Sequence, residues 1–186
     1  LANLKKYDAD ISHCGMSVDG LDGKQRFFYN TGALLIHSHE EGLKELLSAQ
    51  RIEPSSCTKL YKRELFAGLQ FDSQICFNED LLMNTMLFQR ASKSVYEDVC
   101  LYHYIRREGS ACKSRLEDKH VFHPVSVREK IMELCQNESA DIQRIACKNY
   151  LHANISTYSM LLKKEAASYK SCRAQYRRNL IDKKFV

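Results

Sequence analysis

The chain has 186 residues, 44% of them hydrophobic and 27% charged, with two prolines, seven glycines and no tryptophan. This composition excludes disordered and fibrous classes, and it leaves room for one good-sized core plus a second, small helical unit. The formal charge of +5 is local, because residues 163–184 carry eight basic and two acidic side chains and the rest of the chain sums to −1.

The opening residues, LANLKKYDADIS, look like a helix end running into a strand, and they lack a signal-peptide pattern. A piece of a longer protein is therefore expected. Ala9–Val18 mixes alternation with β-branched residues and is bounded by Asp19-Gly20 and Asp22-Gly23, which predicts a strand followed by turns. Gln25–Tyr29 is a second short strand. His39–Gln50 places Leu43, Leu46 and Leu47 at helical spacing behind Ser38, an N-cap residue, and predicts a helix. A loop at Arg51–Ser56 leads to a short strand at Cys57–Tyr61 and a helical turn at Lys62–Leu69 closed by Gly68.

Phe71–Ala91, FDSQICFNEDLLMNTMLFQRA, is the most informative stretch. An apolar run ends at Asn78, a favoured N-cap, and Leu81, Leu82, Met86, Leu87 and Phe88 then form a helical stripe. Glu79 and Asp80 fall in the first turn. Two adjacent carboxylates there suit acid–base chemistry, although first-turn acids also complement the helix dipole with no chemistry attached. Ser94–Ile105, rich in β-branched and aromatic residues, is the clearest strand. After about Lys113 strand signals vanish. Pro124 marks a helix start, with Val127, Ile131 and Leu134 on one face. Ala140–Ile181 carries Ile145, Leu151, Ile155, Tyr158, Leu162, Tyr169, Cys172, Tyr176 and Leu180 mostly three or four apart.

Eight cysteines without a CxxC pair, several inside apolar segments, read mostly as small buried thiols of a reduced, intracellular protein. The pairs His37/His39 and His120/His123 lack a cysteine at ligand spacing and read as surface or capping histidines, so no metal site is expected. No stretch approaches the roughly 20 apolar residues of a membrane-spanning helix.

Four motifs occur in order over the first 110 or so residues: KYDADISHCG (Lys6–Gly15), SSCTKLYKRELF (Ser55–Phe66), LQFDSQICFNEDLLMN (Leu69–Asn84) and SVYEDVCLYHYIRREGSA (Ser94–Ala111). Together they resemble the second half of family 2 glycosyltransferases, inverting enzymes of GT-A fold that use nucleotide-diphosphate sugars. The resemblance implies a partial GT-A-like α/β fold, the acceptor half with a mixed sheet and flanking helices over residues 1–113, followed by an all-helical extension over 114–186. It places the general base on Asp80, with Glu79, Lys59 and Tyr61 on the acceptor side; Cys57 stands where many relatives carry Trp. Arg107, in the phase Tyr104-x-x-Arg107-x-x-Ser110, matches the segment near the diphosphate, with Arg106 as its substitute and two solvated arginines in a turn as the alternative. His103, on the same strand, reads as a packing residue.

The family's donor half ends in an Asp-x-Asp metal motif at the carboxyl end of an apolar strand. Asp8-Ala9-Asp10 precedes its strand instead and reads as exposed or capping aspartates. The resemblance thus implies manganese or magnesium only in a full-length parent, and an inactive fragment here. The parent would transfer sugar to a saccharide or lipid-linked acceptor in surface-polysaccharide synthesis. The basic segment 163–184 suits either an anionic membrane surface, on the cytoplasmic side, or a solvated face of a packed helix. Nucleic-acid binding is not expected, since Tyr158, Tyr169 and Tyr176 share the apolar stripe. The rival reading of the whole chain is a non-catalytic α/β-helical interaction or membrane-docking module.

Overall fold

A computed structural model describes all residues except 21, 23, 28, 107–116, 164–166 and 182–186. The chain divides into two compact units. One contains Leu1–Asp72 and Met83–Arg115, the other Ser73–Leu82 and Leu116–Val186.

The first unit is a mixed sheet with flanking helices. Helix α1 (Ala2–Lys6) leads into β1 (Ile11–Asp19), followed by β2 (Gln25–Phe27), β3 (Leu34–Ser38), α2 (His39–Ser48) and β4 (Lys59–Tyr61), with β5 (Lys93–Ile105) last. The order is β2-β1-β5-β3, with β4 also on β1. The central pair β1 and β5 is parallel; β2, β3 and β4 pair antiparallel. The β1–β5 register shifts on either side of Gly15. A Cβ at Gly15 would come within 3.2 Å of the Val99 carbonyl oxygen, tighter than an ordinary contact, so a larger residue would push the strands apart by a few tenths of an ångström.

Helix α2 begins as its sequence dictates. The Ser38 hydroxyl accepts from the Glu41 amide, and the Glu41 carboxylate accepts from the Ser38 amide, closing a capping box. Leu43, Leu46 and Leu47 are all buried. Gly42 lets the helix approach the sheet, since a Cβ there would lie 2.7 Å from Ser94 Oγ. His13 is buried between the rings of Phe88 and Tyr96, and this burial drives its pKa well down, with the Lys59 and His37 charges adding to the effect.

Helix α3 (Glu79–Arg90) crosses the division between the units in sequence. Its buried residues are Leu82, Met83, Asn84, Thr85, Leu87 and Phe88, so a polar pair lies in the middle of the expected apolar stripe. The segment before it is less apolar in its setting than its letters suggest: Ile75 is buried but Phe71 is 52% exposed.

The second unit, apart from residues 73–82, consists of α4 (Asp118–Leu134), α5 (Ala140–Lys163) and α6 (Lys170–Ile181) with short 3-10 turns between them. Its core gathers Val121, Val125, Tyr150, Ala153, Leu161 and Tyr176. The Tyr176 hydroxyl donates to the Val121 carbonyl at 2.7 Å, and Asn179 donates to Asn154 at 2.8 Å, fastening α6 to the other two helices.

Helices α4 and α5 and the cysteines depart from the sequence expectation. Helix α4 starts at Asp118, not Pro124. His120 Nδ1 accepts from the Glu117 amide at the helix start, and Pro124 is tolerated inside at the cost of one backbone bond. Val127 and Ile131 are buried as expected, but Leu134 is 37% exposed. The apolar stripe read along α5 is not its core face: Ile142, Ala146, Tyr150, Ala153, Asn154, Thr157 and Leu161 are buried, while Ile155 is 50% and Leu162 57% exposed. The thiols differ from expectation as well. Of the seven described cysteines only Cys135 is buried, and Cys57 and Cys76 are exposed. Cys112 lies outside the described residues. Among the described residues no helix is long and apolar enough to cross a membrane.

Candidate functional site

The acidic pair sits where a left-handed residue turns the chain into α3. Asn78 has φ of 65°, a conformation asparagine tolerates better than most side chains, and its carbonyl accepts the first helical bond from the Leu82 amide. Its side chain points elsewhere. Asn78 Oδ1 accepts from Arg128 Nη1 at 3.0 Å, and the same nitrogen donates to the Pro124 carbonyl at 3.0 Å. Burial lowers the pKa of this guanidinium. Two more contacts bind the preceding residues to α4: the Cys76 amide donates to His123 Nδ1 at 3.3 Å, and Phe77 packs edge-on to His120 at 5.1 Å.

Residues 76, 77 and 78 are thus each pinned to α4, in a single compact unit. Glu79 and Asp80 follow, both half-buried in the first helical turn, where exposed amides and the helix dipole favour negative charge. No sequence signal marked Arg128, His120 and His123 as the anchors. Histidines three apart followed by an arginine on one helix form a common surface pattern, and their partners lie some 50 residues earlier.

In the first unit, the remainder of α3 is tied to the KLYKREL segment. Asn84, fully buried, accepts from the Tyr61 hydroxyl at 2.5 Å and donates to the Pro54 carbonyl at 2.7 Å. Arg90 Nη1 donates to the carbonyls of Leu65 and Ala67 at 2.9 and 2.6 Å. Tyr61 also packs edge-on to Phe66. Lys59 is buried, with its ammonium donating to the carbonyls of Glu53 and Ser55 and to the Thr58 hydroxyl. That side chain shapes the loop before β4.

The parallel pair β1 and β5 ends with Asp19 opposite Ile105, and the Arg106 amide donates to the Asp19 carbonyl at 3.0 Å. Carboxyl ends of parallel strands are the usual ligand-facing edge of an open α/β sheet. Arg106 is exposed there. Arg107 and Ser110 lie outside the described residues. His103 is engaged with its neighbours: Nδ1 lies 3.1 Å from Ser17 Oγ, 3.0 Å from Gln25 Nε2 and 3.9 Å from the Asp19 carboxylate.

Asp10, the second acid of Asp8-Ala9-Asp10, is committed to structure. Its carboxylate accepts from the amides of Ser92 and Lys93 and from the Ser92 hydroxyl, and pairs with Lys62 at 3.0 Å. Burial alone would raise its pKa; these donors outweigh that and hold it at about 2. Asp8 is exposed, 3.2 Å from the same lysine. Among the described residues, no three His, Cys, Asp or Glu side chains gather closely enough to hold a metal ion.

No protein-family model and no curated protein matches the chain. Among solved structures it is similar to the crystal structure of S. aureus TarS 1-349 in complex with UDP-GlcNAc, with a TM-score of 0.67 and 15% sequence identity. The likeness covers 97% of this chain and 51% of that one, so the chain spans about half the length of the structure it matches. The fold is therefore glycosyltransferase-like: a mixed α/β portion followed by C-terminal helices.

Proposed function

We propose that this chain is the acceptor-side and C-terminal part of an inverting family 2 glycosyltransferase of GT-A fold. The full-length parent transfers a sugar from a nucleotide-diphosphate sugar to a saccharide or lipid-linked acceptor in surface-polysaccharide synthesis. The observation carrying this reading is the likeness in fold to the UDP-GlcNAc complex of TarS over nearly all of the chain, at half that structure's length.

In this reading Asp80 is the general base. Its carboxylate takes the acceptor hydroxyl's proton while that oxygen bonds to the sugar's anomeric carbon from the face opposite the diphosphate. The bond from carbon to the diphosphate oxygen breaks, and its electron pair leaves with the diphosphate. Glu79 orients the acceptor hydroxyl, and Tyr61 and Lys59 shape the acceptor side. Arg107 with Ser110, or Arg106 in its place, offsets charge on the leaving diphosphate.

Manganese or magnesium belongs to the donor half of the parent. The exposed Lys170, Arg177 and Arg178 on α6 support docking to an anionic membrane surface from the cytoplasmic side, each cation near such a surface contributing about 1 kcal/mol.

The reading is tested by supplying the full-length protein with UDP-GlcNAc and candidate saccharide acceptors and assigning product stereochemistry by NMR. Release of diphosphate nucleotide with inverted anomeric configuration is expected. Retention would exclude the single-displacement mechanism, and a parent that neither binds nor consumes nucleotide sugars would favour the interaction-module reading.

A further inference from the structure

Helices α4 and α5 form a hairpin, turning through residues 135–139, and an open groove of about 790 Å³ runs along them. A connection this short joins antiparallel neighbours. The groove floor is apolar. Met132 contributes from α4, and Cys147, Leu151 and Ile155 follow one another at one-turn spacing on α5. Met132 and Leu151 reach the edge of the helical core, and Cys147 and Ile155 carry this apolar strip outward to solvent.

The borders of the groove carry opposite charges. On α5, Arg144 and Lys148 line the groove itself, one turn apart and exposed; on α4, counting round the helix from Met132 places Glu129 and Glu133 next beyond the lining residues, also one turn apart and exposed. Gln143 Nε2 donates to the Gln136 carbonyl at 3.0 Å and fixes the level at which the helices pass. Counting away from that contact along both helices brings Glu133 level with Arg144, and Glu129 level with Lys148, to within about one turn. Arg144 also pairs with Asp141 on its own helix at 2.8 Å, in an exposed geometry worth little.

We propose that the groove is occupied by a second copy of this chain, giving a two-fold, antiparallel four-helix bundle in which α4 of each copy lies over α5 of the other. A two-fold axis along the helices exchanges the borders, so the acidic edge of one copy meets the basic edge of the other on both sides. The pattern is self-complementary. A simple anionic or cationic ligand would satisfy one border and be repelled by the other. This inference is independent of the proposed activity.

The test is the mass of the full chain by light scattering and sedimentation equilibrium. Wild type is expected to populate twice the 21.6 kDa protomer mass. The pair Glu129→Lys/Glu133→Lys and the pair Arg144→Glu/Lys148→Glu each place like charges across the interface, and each raises the dimer dissociation constant at least about tenfold. Mixing the two reversed proteins restores a heterodimer, and combining all four changes in one chain restores the homodimer. Circular dichroism confirms that each variant is folded. A wild type monomeric throughout, a dimer that ignores the reversals, or a four-fold variant that stays monomeric would each overturn the proposal.

Discussion

Helices α2 and α5 solve the same packing problem in opposite ways. Helix α2 has one apolar face and buries its three leucines, 43, 46 and 47, against the sheet. Helix α5 buries Ala146, Ala153, Asn154 and Thr157 alongside Tyr150 and Leu161, and leaves Ile155 and Leu162 outside. Small residues let α4 and α6 come close, and the buried Asn154 is satisfied: its Nδ2 donates to the Tyr150 carbonyl at 2.9 Å while its Oδ1 accepts from Asn179. A helix between two neighbours is placed by close approach and bonding as well as by large apolar side chains, and aliphatic residues such as Ile155 and Leu162 are left on another face.

The contrast can be broken most sharply at Tyr150. If the small-residue face is the core, Tyr150→Ala should destabilise the helical unit by about 3–5 kcal/mol in denaturant unfolding. A loss similar to that of an exposed residue would mean the faces are misassigned. In the sheet unit, Asp10→Ala should cost about 1–2 kcal/mol at neutral pH, because it strips three donors around Ser92 and Lys93 of their acceptor. The pH dependence follows from the folded pKa of about 2 against an ordinary 3.8. A depressed carboxylate stabilises the fold above its unfolded pKa, and that contribution disappears as pH falls from about 4 through 2. Wild type and the Asp10 variant should converge over that window, as read by amide exchange along β5. The smallest effect is expected at Ile155→Ala, within about 0.5 kcal/mol in the monomer, as for a surface site.

Much of the sheet unit was legible because its signals are local. Strand β5 announced itself through β-branched and aromatic residues, and the start of α2 through Ser38 and Glu41 three residues on. The start of α3 was legible for the same reason, since Asn78 before Glu79-Asp80 is a helix-start pattern. What holds that start in place was not. The bonds from Arg128 and to His123 join residues 50 and 47 positions apart, and nothing in the composition of either segment names the other. Asn84 is comparable: within an apolar run it reads as a polar interruption, yet it connects Tyr61 and Pro54 to α3. The stripe along α5 misled because size and spacing cannot rank two apolar faces of a single helix.

The central claim, that the second carboxylate of Asn78-Glu79-Asp80 removes the acceptor's proton, is tested most directly by a single change. Asp80→Asn in the full-length protein keeps size and first-turn geometry while removing the base. Sugar transfer should fall by about 10²–10⁴-fold in kcat, with nucleotide-sugar binding retained. Transfer at a near-wild-type rate by a folded Asp80→Asn protein would contradict the account.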